Sequence, residues 1–240
     1  MLLGVLVLLA VGSLSAAESV TASLIKVRGD VTDATDSGTP VKTGSTVSVN
    51  HTISSARLGV AVYKIGQSAV IKQDPRTSLS FTRLDKAGGD EQFVGITLQK
   101  GDIFSAIKPT ANEATDFHVT TSRIEALTKD AVFKVSHSYS TSVVFVKEGI
   151  VEVRYCRNTK KVYVHAGEVF MVTDCNGIQR WLTDDELREL NLFGALIGSA
   201  FAFDPSFAAD TSTSVRFVGG VVTGVVLSPE IPPELPPISP

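Results

Sequence analysis

Short β-type segments make up most of this chain, and they limit the folds open to it. From Ser19 to Val172, runs rich in Val, Ile, Thr and Phe alternate with turn residues at intervals of about eight to twelve positions. No long run with a 3.6-residue period interrupts them, so βαβ units are not expected. The pattern predicts an all-β domain of stacked antiparallel strands, arranged as a sandwich or in a solenoid-like way.

One short phrase recurs within these segments: an apolar residue, a Gly two or three positions later, and another apolar residue soon after it. Gly suits a tight turn with positive φ. The copies are unevenly spaced, which argues against a regular repeat array. We therefore expect them to be corners between stacked strands. The corner glycines are Gly29, Gly101, Gly149 and Gly167, with Gly44 in a looser copy.

Charge and composition argue against nucleic-acid binding. The chain has 240 residues and a formal net charge of -3, and it contains no basic run. Its length allows one large domain or two small ones, and either could bury a substantial core.

The first 17 residues, MLLGVLVLLAVGSLSAA, carry no charged side chain and end in small residues. This pattern predicts a signal peptide over residues 1–17, with cleavage after Ala17 and an extracytoplasmic (periplasmic or secreted) mature protein. The alternative is an uncleaved anchor, because 17 apolar residues lie at the short limit for a spanning helix. Membrane association is expected only in that second case.

Two cysteines, Cys156 and Cys175, flank one predicted strand-turn-strand passage. In an oxidising compartment they could form a disulfide, which is the interpretation we favour. The alternative is two unpaired, buried thiols. A metal pair is not expected, since no CxxC spacing and no further Cys is present.

The pattern changes after Trp181. Thr183 and Glu186 have the spacing of a capping box, which predicts the start of an amphipathic helix over residues 183–203. Its apolar stripe is expected to pack on the β domain, with a partner-binding or membrane-surface role as the alternatives. Residues 204–227 are predicted to form a Gly-rich β segment, and residues 228–240 a disordered Pro-rich tail. The stripe comprises Leu187, Leu190, Phe193, Ile197 and Phe201.

The sequence contains no recognisable set of catalytic residues. The four histidines have no metal-ligand spacing, and no phosphate-binding glycine loop or GxSxG sequence occurs. We therefore predict no catalytic, cofactor-binding or metal-binding residues, and a chain that is not an enzyme.

Nine short segments of the β region form a recognisable ordered pattern. They include VRGDV at 27–31, LQKGDIF at 98–104, FHVTT at 117–121, AVFKV at 131–135, and the runs 144–153 and 164–172. Taken in this order, the nine segments resemble the FecR domain family. They span roughly residues 22–174, and the predicted FecR-like β domain is residues 19–175. Lys129 and Asp130 stand where the family pattern has Gly-Thr.

The resemblance implies an exported, non-enzymatic β domain related to anti-sigma signalling regulators. Such a domain would act as a protein-interaction or envelope-sensing module, with a protein partner in the cell envelope and no cofactor. Binding would use a sheet face or an exposed strand edge. The alternative is a module that binds carbohydrate or another envelope polymer, which would need a stripe of exposed aromatic side chains. The candidates for that stripe are Tyr63, Tyr139, Tyr155, Tyr163 and Trp181.

Overall fold

The computed structural model describes residues 18–86, 91–111, 113–201, 217–218 and 221–222. Apart from one helix, these residues form strands joined by short turns, so the predicted all-β class is confirmed. The predicted signal peptide at 1–17 and the Pro-rich tail at 228–240 lie outside the described residues. The strands of the main domain are β1 Glu18–Ser19, β2 Ala22–Arg28, β3 Val31–Asp33, β4 Thr39–Pro40, β5 Thr46–Val47, β6 Thr52–Ser55, β7 Val60–Ile65, β8 Ala69–Gln73, β9 Ser78–Lys86, β10 Glu91–Ile107, β11 Ala114–Thr120, β12 Ile124–Thr128, β13 Ala131–Ser138, β14 Thr141–Tyr155, β15 Lys160–His165, β16 Glu168–Thr173 and β17 Asn176–Trp181.

The strands form two layers. The first sheet has the order β4-β3-β6-β9-β10-β11-β12-β14-β15, with β1 beside the end of β9. The second sheet has the order β5-β2-β7-β8-β10-β13-β14-β16-β17. The long strands β10 and β14 belong to both, because each bends and continues in the other layer. Strand pairing therefore passes from one layer to the other through these two strands.

One pair departs from the predicted antiparallel stacking. β10 and β11 run parallel, from Glu91 beside Ala114 to Thr97 beside Thr120. The chain enters the first sheet along β10, turns back in the second sheet, and returns to the first sheet as β11. That full turn around the layers makes this part of the sandwich solenoid-like.

The recurrent glycines lie where the chain passes between the layers, as predicted. Gly101 and Gly149 lie at the bends of β10 and β14, with φ of 93° and 79°. Gly29 and Gly167 join strands of different sheets, with φ of 65° and 87°, and Gly44 does the same with φ of 90°. A side chain at Gly149 would also meet the backbone carbonyl of Asp130. The repeated phrase is thus a corner that only glycine fits without strain.

The main core lies between the sheets. Phe117 and Phe133 meet across the layers with ring centroids 6.0 Å apart, and Tyr63 and Phe81 do so at 5.3 Å. Alternate residues of most strands supply the remaining apolar side chains, as Val151 and Val153 of β14 do.

The helix, α1, spans Asp184–Phe201 and begins with the predicted capping box. Glu186 accepts a hydrogen bond from the Thr183 backbone N–H at 2.8 Å, and its own N–H lies 3.4 Å from the Thr183 hydroxyl. Leu190 and Phe193 are 1% and 2% exposed on the outer face of the second sheet, where they contact β8, β10, β13 and β14. The expected docking on the β domain is therefore observed, although Leu187 is exposed.

After residue 175, the predicted end of the β domain, β17 adds one further strand to the second sheet. Within the predicted Gly-rich segment, Phe217–Val218 (β18) and Val221–Val222 (β19) pair antiparallel. In the described part of the chain, no helix is both long enough and apolar enough to cross a membrane.

Candidate interaction edge

A sheet edge can accept a further strand unless something blocks it, and natural edges are usually blunted by short length, Pro or Lys. β4 and β5 have two residues each, and β4 contains Pro40. β15, which ends the first sheet, carries Lys160 and Lys161. β17 ends the second sheet and has six residues, NGIQRW, without Pro, Lys or acidic side chains. Among the described edges, β17 is the least protected.

The backbone N–H and C=O groups of β17 point alternately towards β16 and away from it. Its hairpin with β16 closes at Thr173 opposite Asn176, around a two-residue turn, and the backbone N–H of Leu182 donates to Gly167 O at 2.8 Å. In an antiparallel ladder, backbone groups alternate between the partner strand and the opposite side. Residues 176, 178 and 180 therefore bond to β16, and the N–H and C=O groups of Gly177, Gln179 and Trp181 point away from the sheet.

The side chains along this edge are exposed and partly apolar. Ile178 and Trp181 are 57% and 72% exposed, and Met171 of β16, opposite Ile178, is also exposed. Because Phe170 and Val172 belong to the core, Met171 and Ile178 lie on the outer face of the second sheet. Apolar side chains and open backbone groups therefore coincide on one strand, which is the chemistry that strand addition uses.

Side-chain hydrogen bonds connect the edge strand β17 to β15 and β16. Gln179 Nε2 donates to the Glu168 carboxylate at 2.7 Å and to the Tyr163 carbonyl at 3.3 Å. The same Glu168 oxygen accepts the His165 backbone N–H at 2.7 Å. Gln179 thereby ties β17 to β15 across the gap between the layers, which holds the open edge in place.

A disulfide fastens the turns at the start of this edge. The structure joins Cys156, in the β14–β15 turn, to Cys175, in the β16–β17 turn. Since these turns belong to different sheets, the bond connects the layers where their strands end. Beneath it, Tyr155 and Phe170 pack with ring centroids 5.2 Å apart, and a side chain at Gly177 would collide with Phe170.

Two lysines are buried on the outer face of the second sheet under α1. Lys72 and Lys134 flank Phe104 in register across β8, β10 and β13, with Nζ atoms 4.8 and 5.0 Å from its ring centroid. Lys72 Nζ pairs with Asp74 at 2.5 Å. Burial raises the pKa of Asp74, although Lys72 and Lys134 oppose that shift.

Lys134 is the link between this face and the helix. Its Nζ lies 2.8 Å from Glu189 of α1 and 4.0 Å from Asp102. Burial by itself would lower the pKa of Lys134, but the carboxylates of Asp102, Glu189 and Asp74 outweigh it and raise the pKa. The lysine therefore stays charged, and Glu189 supplies part of the compensation that a buried charge needs.

The predicted aromatic candidates for polymer binding do not form a stripe. Tyr63 is fully buried, and Tyr155 packs against the core. Tyr139, Tyr163 and Trp181 are exposed, but they lie in the β13–β14 turn, on β15 and on β17. The exposed aromatic side chains therefore lie on three different elements, and two of the five candidates are not exposed.

The described residues contain no group of three or more His, Cys, Asp or Glu side chains placed to hold a metal ion. His137 is buried and contacts Ser122 at 3.2 Å and Ser142 at 2.9 Å. Burial lowers the pKa of His137. Its hydroxyl partners make this a polar contact that joins the β11–β12 turn to β13 and β14.

Among known proteins, the chain is similar to two solved structures. No family model matches the sequence, and no curated protein matches it. Two crystal structures from Parabacteroides distasonis, each described as "a putative anti-sigma factor", align with the chain at a TM-score of 0.45. Identity is 18% and 17%, over 59% of this chain and 64% and 63% of those chains. The aligned part thus spans less than two thirds of either relative.

Proposed function

We propose that this chain is a non-enzymatic protein-binding module of the bacterial cell envelope, and that its partner adds a strand beside β17. The observation that carries the proposal is the edge itself. β17 combines six residues, outward backbone groups at Gly177, Gln179 and Trp181, and exposed apolar side chains, and it contains neither Pro nor Lys. Its one charged residue, Arg180, is paired with Glu186 and with the Trp181 carbonyl. An added strand would gain main-chain hydrogen bonds, and Ile178 and Trp181 would supply contacts that select the partner.

The envelope and signalling parts of the proposal rest on the sequence. The resemblance to FecR domains suggests a sensing module related to anti-sigma regulators. The apolar segment at residues 1–17 suggests export. Pairing of Cys156 with Cys175 suits an oxidising compartment, where disulfides persist.

Site-specific cross-linking tests the binding edge. A photo-reactive amino acid at position 178, expressed in the native host, should give a discrete adduct with one envelope protein. The matched control is position 58, because Leu58 is also an exposed apolar residue, 74% exposed, but lies in the turn between β6 and β7. Equal yields of the same adducts from both positions would contradict a specific edge.

A backbone variant separates strand addition from ordinary side-chain contact. Gln179→Pro deletes one outward N–H and leaves the ladder between β16 and β17 without a lost bond, since that N–H does not face β16. The adduct from position 178 should decrease strongly with Gln179→Pro and not with Gln179→Ala, which loses the same side-chain bonds to Glu168 and Tyr163 but keeps the N–H. Undiminished capture by Gln179→Pro would mean that the partner binds side chains and does not extend the sheet.

Export is tested separately by intact mass. Protein recovered from the envelope fraction should lack residues 1–17 and have both thiols protected from alkylation until a reductant is added. An uncleaved chain in the membrane fraction would support the anchor alternative.

A further inference from the structure

The free edge of β17 has a sequence that suits pairing with itself. We propose that, when no other partner is bound, two copies of the chain associate through antiparallel β17 strands related by a two-fold axis at Gln179. This inference rests on the proposed function, because it names a second copy as one occupant of the same edge. The second sheets of the two copies would then become one continuous sheet.

Backbone polarity selects this register. Only Gly177, Gln179 and Trp181 present outward N–H and C=O groups, so a ladder must place these residues opposite one another. An axis at Gln179 pairs Gln179 with its own copy and Gly177 with Trp181 on both sides, which engages all three residues. It forms about six hydrogen bonds once the Trp181 carbonyl, which accepts from Arg180 Nη1 at 2.9 Å in the single chain, accepts from Gly177 of the other copy instead. An axis at Ile178 or Arg180 engages two of the three and forms about four.

Side chains favour the same register. On the outer face, Ile178 would lie opposite Arg180 of the other copy, where the aliphatic part of the arginine can cover it. On the other face, Trp181 would lie opposite Gly177, and its indole would pack beside the Phe170 ring, which covers Gly177. An axis at Arg180 would place the two arginines opposite each other, and like charges at directly opposed positions are unfavourable.

The contact is isologous and closed. Each copy uses the same strand, so pairing consumes both free edges and stops at two chains. The edge would thus be protected from open-ended aggregation, and a protein partner would have to displace the second copy. The dimer is accordingly expected to be weak compared with the partner complex.

Paired charge variants test the inference in the full-length protein. Sedimentation equilibrium should show a concentration-dependent dimer. Ile178→Arg places two arginines opposite each other at both symmetry-related positions and should weaken association by about tenfold. Ile178→Glu places a carboxylate opposite Arg180, which already pairs with Glu186 of its own chain, and should weaken association clearly less than Ile178→Arg does. Leu58→Arg, the control at an exposed apolar site elsewhere, should change nothing. Equal weakening by Ile178→Arg and Ile178→Glu would indicate nonspecific apolar contact and overturn the proposal.

Cysteine cross-linking tests the register. A mixture of Ile178→Cys and Arg180→Cys chains should form a disulfide-linked pair under mild oxidation, because these positions lie opposite each other. Preferential cross-linking of Ile178→Cys with itself would contradict the axis at Gln179.

The two proposals fail in different ways. A chain that stays monomeric at all concentrations, yet is captured by an envelope protein from position 178, overturns the homodimer and leaves the proposed function standing. Absence of both the dimer and the position-specific adduct would overturn both.

Discussion

Arg180 and Glu186 connect the last strand of the sandwich to the first turn of the helix. Arg180 Nη1 and Nη2 donate to the two carboxylate oxygens of Glu186 at 2.8 and 2.7 Å. The same carboxylate accepts the Thr183 N–H of the capping box. Glu186 therefore fixes both the end of β17 and the direction of α1. It connects the proposed binding edge with the sheet face that α1 covers.

This contact predicts a specific acid sensitivity. Hydrogen bonds from Arg180, opposed by partial burial, hold the pKa of Glu186 at about 2, below its ordinary 4.5. A lowered carboxyl pKa contributes stability that is present above the unfolded pKa and is lost as pH falls from about 4.5 towards 2. The free energy of unfolding of Glu186→Gln should be below that of the wild type at neutral pH, and the difference should shrink across that window. A difference that stays constant down to about pH 2 would contradict the lowered pKa.

The buried ion pair between Lys134 and Glu189 predicts a non-additive mutant series. Lys134 is 9% exposed at its side chain, so Glu189→Ala removes a partner from a buried charge and should destabilise the fold by about 1–3 kcal/mol in denaturant unfolding. The Asp102 carboxylate lies 4.0 Å from Lys134 Nζ and limits this loss of stability. The double variant Lys134→Met, Glu189→Leu removes both charges and should recover most of that stability. A double variant that is as unstable as the sum of its single changes would exclude coupling between the two residues.

The disulfide between Cys156 and Cys175 should stabilise the end of the sandwich. The bond links residues 19 apart in sequence. In the chain-entropy model, closing a loop of this size contributes about 3 kcal/mol. Replacement of both cysteines by Ser should lower the free energy of unfolding by about that amount, and a reductant should have the same effect on the wild type but none on the variant. A reductant effect on the variant would show that the loss does not come from this bond.

The corner at Gly149 allows a controlled test of why glycine is needed there. Gly149 and Gly38 have similar φ, 79° and 76°, but a side chain would meet the Asp130 carbonyl only at Gly149 and nothing within 4 Å at Gly38. Gly38→Ala should therefore cost about 1 kcal/mol, from backbone strain alone. Gly149→Ala should cost clearly more, about 3 kcal/mol, because the corner must also shift. Equal costs, measured by thermal or denaturant unfolding, would show that the close approach is unimportant.

The corners and the helix could be predicted from the sequence because their signals are local. A glycine between two apolar runs reports a turn with positive φ, and Thr183 with Glu186 reports a helix start. The strands that β10 and β14 pair with on either side of their bends could not be predicted, because strand pairing depends on residues far apart in the chain. The parallel pairing of β10 with β11 was missed for the same reason.

The candidate edge and the covered face were also hidden from sequence reasoning. β17 was left outside the predicted domain, although the turn residues before Asn176 and the alternation of Ile178 with polar neighbours were available as signals. Lys134 lies between Phe133 and Val135, and a polar residue between two apolar ones is typical of a solvent-facing strand position. Only the docking of α1, a long-range contact, reveals that it is buried.

Amide hydrogen exchange along β17 tests the central claim most directly. It should be measured on the protein at low concentration and again in the isolated complex, with the captured partner or with a second copy. The inward amides of residues 176, 178 and 180 should be protected in both samples. The outward amides of Gly177, Gln179 and Trp181 should exchange quickly in the free protein and become protected in the complex. A complex in which these three amides still exchange quickly would contradict strand addition at β17.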